Sequence, residues 1–200
     1  MIETSAAGAQ RTSMHTQDGL QLDAVLRCEP QALVLTYRVA NTARRDVYLL
    51  NRLYRTTPTL ALDANLIYVL LDPAQGLIHL QKKIADLPRD RYVNAPVAPF
   101  VSPVRAGERF SEQIHLPLPL HEYQQYAPAA APDHGALRTY HQVRFSLGYY
   151  WSAPGTHETE KEIGGTKVVL PQLPAGSRVE WGLAETPAVA LEVPAYDPHT

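Results

Sequence analysis

Residues 143–151 read VRFSLGYYW, and Val143, Phe145, Leu147, Tyr149 and Trp151 fall on every second position without a break. Successive side chains of a strand point to opposite faces, so this pattern puts five large apolar groups on one face. A helix would scatter them around its axis. Such a face needs another apolar layer against it, and the chain offers one. Leu20, Leu22, Ala24 and Leu26 alternate with Gln21, Asp23 and Arg27, and Leu33, Leu35, Tyr37 and Val39 alternate with Thr36 and Arg38. Cys28, the single cysteine, shares the apolar parity and reads as a buried core thiol. With no second thiol there is no internal disulfide, which suits a reducing compartment.

Turn chemistry divides the rest of the chain. Residues 41–46 form a turn, and 47–53 read as the strand that returns from it, although Val47, Leu50 and Tyr54 also fit a helical face. Residues 66–71 and 77–84 flank Asp72-Pro73-Ala74-Gln75-Gly76, with proline early and glycine late, as a hairpin turn requires. A proline-rich connection covers 85–103. Phe110, Ile114 and Leu116 mark one face of a further strand, residues 127–136 are a loop, and 166–170, 178–183 and 188–193 are shorter strands. The count is about ten strands with no long helix. The 17 prolines punctuate apolar segments rather than mark disorder. The predicted fold is all-β, an antiparallel β-sandwich with long loops in which each sheet keeps one wet side.

The stretch HLPLPLHEYQQY, residues 115–126, comes within one residue of a zinc-peptidase motif, His-Glu-x-x-His. It fails as a metal site on two grounds. Gln125 stands at the second ligand position, and the prolines at 117 and 119 push the residues before them away from helical backbone. The segment reads instead as the end of a strand leaving its sheet, with leucines still plugging the core and a following tyrosine fastening the crossover. Immunoglobulin-like sandwiches tie a corner with a tyrosine hydroxyl in this way, and Tyr126 or Tyr140 is placed to do so. The predicted topology is therefore immunoglobulin-like, without the paired cysteines of antibody domains.

Residues 1–18 carry no apolar run and read as a flexible segment, not a signal peptide. Residues 19–200 then form one sandwich domain, with a small β subdomain from 166 as the alternative. The longest apolar run, 66–71, is far too short to span a bilayer. The expected location is cytoplasmic if the chain is full length, and periplasmic or extracellular if a signal peptide has been trimmed. Net charge is −2 with no basic cluster, which argues against nucleic acid as a partner. The cations are mostly arginine, 14 against 4 lysines, a bias that suits bidentate and stacked contacts.

No nucleophile elbow, phosphate loop or metal-ligand spacing is present, so no cofactor, no metal and no catalytic residue is expected. The expected function is a non-catalytic module that binds another protein through its end loops or a sheet edge. The alternative is a carbohydrate or small-ligand binding domain that uses surface tyrosines, and the third reading is a hydrolase with dispersed carboxylates. The candidate binding residues are Arg44 and Arg45 in one turn, and His157, Glu158, Glu160 and Glu162 in the loop 152–165. Both segments follow inner strands and should emerge at the same end. Tyr150 is the remaining candidate, facing away from the core beside an open spot at Gly148.

Overall fold

The computed structural model describes residues 8–16, 18–55, 60–88, 93, 97–126 and 135–197. The chain runs β1 (Gln10–His15), β2 (Leu20–Cys28), β3 (Ala32–Asn41), β4 (Val47–Arg52), β5 (Tyr54–Arg55), β6 (Ala61–Leu62), β7 (Tyr68–Asp72) and β8 (Leu77–Lys82). It continues through β9 (Phe100–Val104), β10 (Arg109–Pro117), β11 (Leu120–His121), β12 (Ala136–Trp151), β13 (His157–Ile163), β14 (Thr166–Gln172), β15 (Trp181–Glu185) and β16 (Val189–Asp197). Among the described residues no helix is long and apolar enough to cross a membrane.

Two sheets face each other. The first is antiparallel in the order β1-β2-β3-β10. The second is organised by β12, whose 16 residues are long enough to serve four neighbours. One edge of β12 takes β16 along Ala136 to Val143 and then β15 along Ser146 to Tyr150. The other takes β8 along Gln142 to Leu147 and then β4 along Tyr149 to Trp151. From β4 the sheet continues to β9, and a single pairing of Val101 with Val169 attaches the β13–β14 hairpin. The apolar rows read from the sequence meet between the sheets: Leu22, Leu26, Leu35 and Tyr37 face Phe145, Leu147, Tyr149 and Trp151 in one core. Trp151 is 3 % exposed.

Several expectations are corrected. Two strand pairs are parallel, β8 with β12 and β11 with β16. Parallel pairs need a long crossover, and the β9–β11 stretch between β8 and β12 supplies one through the first sheet. Within the segment 1–18, expected to be flexible, residues 10–15 form strand β1. Gln10–His15 pairs with β2, because the outer edge of β2 offers unpaired N–H and C=O groups, and ladder bonds need no apolar periodicity in the added strand. The strands beyond residue 166 are paired into the second sheet through β9 and β12. Cys28 is half-buried against the core rather than within it. Burial pushes its thiol pKa up.

The outer face of the second sheet is wet only in part. Tyr48, Leu50, Val101 and Tyr150 form a second apolar cluster there, covered by Ile84, Leu173 and Val179. Tyr150 is 7 % exposed, and a Cβ on Gly148 would press against Leu50 and Lys83, so the open spot expected beside Tyr150 is filled. Alternation shows only which side chains share a face; whether that face is covered depends on segments far away in the chain.

Candidate functional site

Charged groups are sparse inside the sandwich, and where they occur they are paired. The last residue of β8, Lys82, shares the inward parity of Ile78 and Leu80 and is 0 % exposed. Its Nζ donates to Glu112 Oε2 at 2.8 Å and to the Ala64 carbonyl at 3.2 Å. Glu112 in turn shares the parity of Phe110 and Ile114 in β10, and lies opposite Tyr37 in β3, whose hydroxyl donates to it. Burial draws the Lys82 pKa down, opposed by the Glu112 charge. Burial and the same carboxylate hold the Tyr37 hydroxyl well above its ordinary value. This ion pair joins the two sheets. Its sequence signal was a lysine and a glutamate each standing in an otherwise apolar row. A second buried carboxylate, Asp197, is held by Arg138 at 2.7 Å. Among the described residues no group of three His, Cys, Asp or Glu side chains converges as a metal site would need.

The sequence candidates separate into two sets. Arg45 and residues 152–154 do come together, in a cleft of about 230 Å³ that also takes in Trp151, Ser177, Arg178 and Glu180. The Ser152 amide donates to the Asp46 carbonyl and joins the two segments directly. The Arg45 guanidinium lies 4.8 Å from the Trp151 ring centroid and pairs with Glu180 at 2.5 Å. That pairing lowers the Glu180 pKa. Arg44 is exposed beside it.

The residues 157–165 are not a loop. His157–Ile163 is strand β13, turned by Gly164 and Gly165, both with positive φ, into β14. His157, Glu160 and Glu162 are exposed on this hairpin, and Glu160 pairs with Lys167. Glu158 is different. Arg105 grips both of its oxygens, at 2.5 and 2.6 Å, and the Tyr48 hydroxyl donates to it at 2.7 Å. Asp46 holds the same arginine at 3.0 Å. Its bond to Arg105 lowers the Glu158 pKa. Glu158 therefore braces the hairpin against β4 and the end of β9. A run of alternating glutamates reads as polar in sequence, which hides the one that turns inward.

Strand β15 pairs only with β12 among the described residues. The bonds Trp151 N–H to Glu180 C=O and Thr186 N–H to Phe145 C=O set the phase of this ladder. Even-numbered residues of β15 therefore bond to β12, and the N–H and C=O groups of Trp181, Leu183 and Glu185 point to the open edge. The side chains of this odd set stand on the outer face, where Trp181 is 56 % and Leu183 47 % exposed. The Trp181 ring leans on Tyr150, with centroids 4.9 Å apart.

At the other end of the molecule, the HLPLPLHEYQQY stretch crosses from the first sheet to the second. Pro117 still pairs with Ala32, and His121 then pairs with Tyr196 of β16. The Tyr126 hydroxyl accepts the Val97 amide at 2.7 Å and so ties the end of the stretch to the proline-rich connection before β9. The Tyr140 hydroxyl, the other candidate, is buried without a hydrogen-bond partner among the described residues. The crossover forms one wall of an open cleft of about 710 Å³.

Together these features define an all-β protein of packed sheets, with an open apolar strand edge at β15 and mixed polar–apolar clefts at both ends of β12. Comparison with protein-family models, with curated proteins and with solved structures gave no match, so the functional reading rests on geometry.

Proposed function

We propose that the protein is a non-catalytic binding module that takes an extended segment of another protein along the open edge of β15. The observation that carries this reading is the pair Trp181 and Leu183, exposed side by side on a strand with unpaired outward backbone groups. Large exposed apolar groups on an open edge invite an added strand unless they are covered. An added strand gains main-chain hydrogen bonds for affinity and side-chain contacts for specificity. Tryptophan is among the residues that contribute most at interfaces. The Arg45–Glu180 pair lies at the end of the same edge, since Glu180 directly precedes Trp181. An incoming segment would therefore meet the edge and the end cleft as one surface. Arg44, exposed there, would steer it.

The finer topology belongs to the same reading. We take the sandwich to be immunoglobulin-like, supported by a chain that runs β1–β3 in the first sheet, β4 and β7–β9 in the second, β10 in the first and β11–β16 in the second.

The test is selection from a library of displayed linear peptides on the immobilised full chain. Enrichment of segments with alternating apolar residues is expected. Leu183→Pro should abolish their binding, because it removes the outward N–H while Gly182 and Ala184 remain bonded to β12. Charge reversal at Arg44 should weaken retention without changing the thermal midpoint. No enrichment, or equal binding by Leu183→Pro, would refute the proposal.

A further inference from the structure

The two ends of β15 differ in charge, and the difference gives the open edge a direction. The chain enters β15 past the cleft that takes in Arg45, Trp151, Ser152, Ser177, Arg178 and Glu180. Two arginines stand against one glutamate there, and Arg45 already holds that glutamate at 2.5 Å. Arg178 is exposed and makes no hydrogen bond or close ion pair among the described residues. It acts on Glu180 only at longer range, adding to the stronger effect of Arg45 in lowering the Glu180 pKa. Asp46, in the turn that carries Arg45, is held by Arg105. The cleft therefore has a surplus of positive charge, with the hydroxyls of Ser152 and Ser177 beside it. The indole N–H of Trp151, which lines the cleft, is a further donor, buried and without a hydrogen-bond partner among the described residues.

At the far end of β15 the charges are matched. Glu185 pairs with Arg144 at 3.1 Å and accepts the Ser146 hydroxyl at 3.0 Å. A negative charge stands nearer the middle of the strand. Burial raises the Tyr149 hydroxyl pKa, Asp18 raises it further, and the Tyr149 ring crosses Gly182. Positive charge is thus concentrated where β15 begins.

A strand added antiparallel to β15 runs with its C-terminal end toward Trp181 and the cleft. A strand added parallel brings its N-terminal end there. A terminal carboxylate suits arginines, which bind it through charge-assisted hydrogen bonds in a fork that matches its shape. A terminal ammonium group would meet the like charge of Arg178. Antiparallel pairing is also the slightly more stable ladder. The ligand residues opposite Leu183 and Trp181 are two apart and share the outer face. At about 3.4 Å per residue, a chain that ends one or two residues beyond Trp181 sets its carboxylate in the cleft.

We infer that the partner segment is the C-terminus of another protein, bound antiparallel to β15, with its terminal carboxylate in the Arg45–Arg178 cleft and apolar side chains beside Trp181 and Leu183. The inference rests on the β15-edge reading and adds to it the direction and the end group of the ligand.

The test uses two random peptide libraries on the immobilised full chain. One is anchored by its N-termini, which leaves the terminal carboxylates free, and the other by its C-termini. The first should enrich peptides with apolar residues two apart near a free end, and the second should not. Enriched peptides, synthesised as acids, should bind about tenfold more tightly than their amides. Arg178→Glu should abolish that preference with an unchanged thermal midpoint, since the side chain is exposed. A nitroxide on the peptide N-terminus should broaden the amide resonances around Glu185 more than those around Glu180. Equal enrichment from both libraries, equal affinity of acid and amide, or a preference that survives Arg178→Glu would overturn the inference. So would broadening centred on Glu180, or side-chain carboxylates that serve as well as the terminal one. In each of these cases loss of binding in Leu183→Pro keeps the edge reading itself. Absence of binders from both libraries overturns the two together.

Discussion

The ring of Tyr149 lies across Gly182, so close that a Cβ on residue 182 would overlap the ring's Cζ and hydroxyl. The two residues are partners in the β12–β15 ladder, and the ring fills the space that a side chain on β15 would otherwise take. Glycine within a strand often marks such a close approach. Gly182→Ala should displace the ring or the strand and cost about 1–3 kcal/mol, as overpacking does. Urea unfolding measures it, and an unchanged midpoint would mean that the ring does not occupy this position.

Lys82 and Glu112 should show the asymmetry of a buried ion pair. Among the described residues, Lys82→Met leaves Glu112 with only the Tyr37 hydroxyl and Arg52 at 4.0 Å and should cost about 3 kcal/mol. Adding Glu112→Leu should restore most of that loss, because the poorly compensated charge is then gone. A double-mutant cycle by denaturant unfolding distinguishes this from simple additivity.

Tyr150 behaves as core, although its parity faces away from the main core. Burial raises its hydroxyl pKa to about 12. Tyr150→Ala should cost about 3–5 kcal/mol, comparable with Trp151→Ala. An exposed tyrosine would change stability by about 0.5 kcal/mol or less. The two variants compared by calorimetry report whether both faces of β12 are packed.

Glu158 makes the hairpin acid-sensitive. Its folded-state pKa lies below the ordinary 4.5 because Arg105 holds its carboxylate. The unfolded chain therefore binds the proton first as pH falls. The stabilisation is fully present above about pH 4.5 and disappears as pH drops through the lowered folded value. Glu158→Gln should flatten this part of the stability–pH curve and lower stability at neutral pH by about 1–3 kcal/mol. Thermal melts of both proteins between neutral and acid pH provide the measurement, and parallel curves would contradict the assignment.

Alternation was enough to assign the inward row of β12, the inward rows of β2 and β3, and the 72–76 hairpin, because strand parity and turn backbone are set by neighbouring residues. The adjacency of Arg45 and Ser152 was also legible, since both segments leave inner strands at one end. The hairpin β13–β14 was less so. Its alternating pattern HETEKEI has polar residues on both faces, and without an apolar row a strand resembles a loop.

What the sequence alone determined, then, is which side chains share a face, where the chain turns, and that two apolar layers must meet. What only the tertiary structure decided is what each face meets. The covering of Tyr150, the pairing of Lys82 with Glu112 across the sheets, and the open edge at Trp181 and Leu183 all join residues distant in the chain. The cleft walled by His121 and Tyr123 does so as well, because its walls come from β5–β7, β10–β11 and β16. Local pattern carries no record of which distant segment arrives, since burial and electrostatics act through space rather than along the backbone.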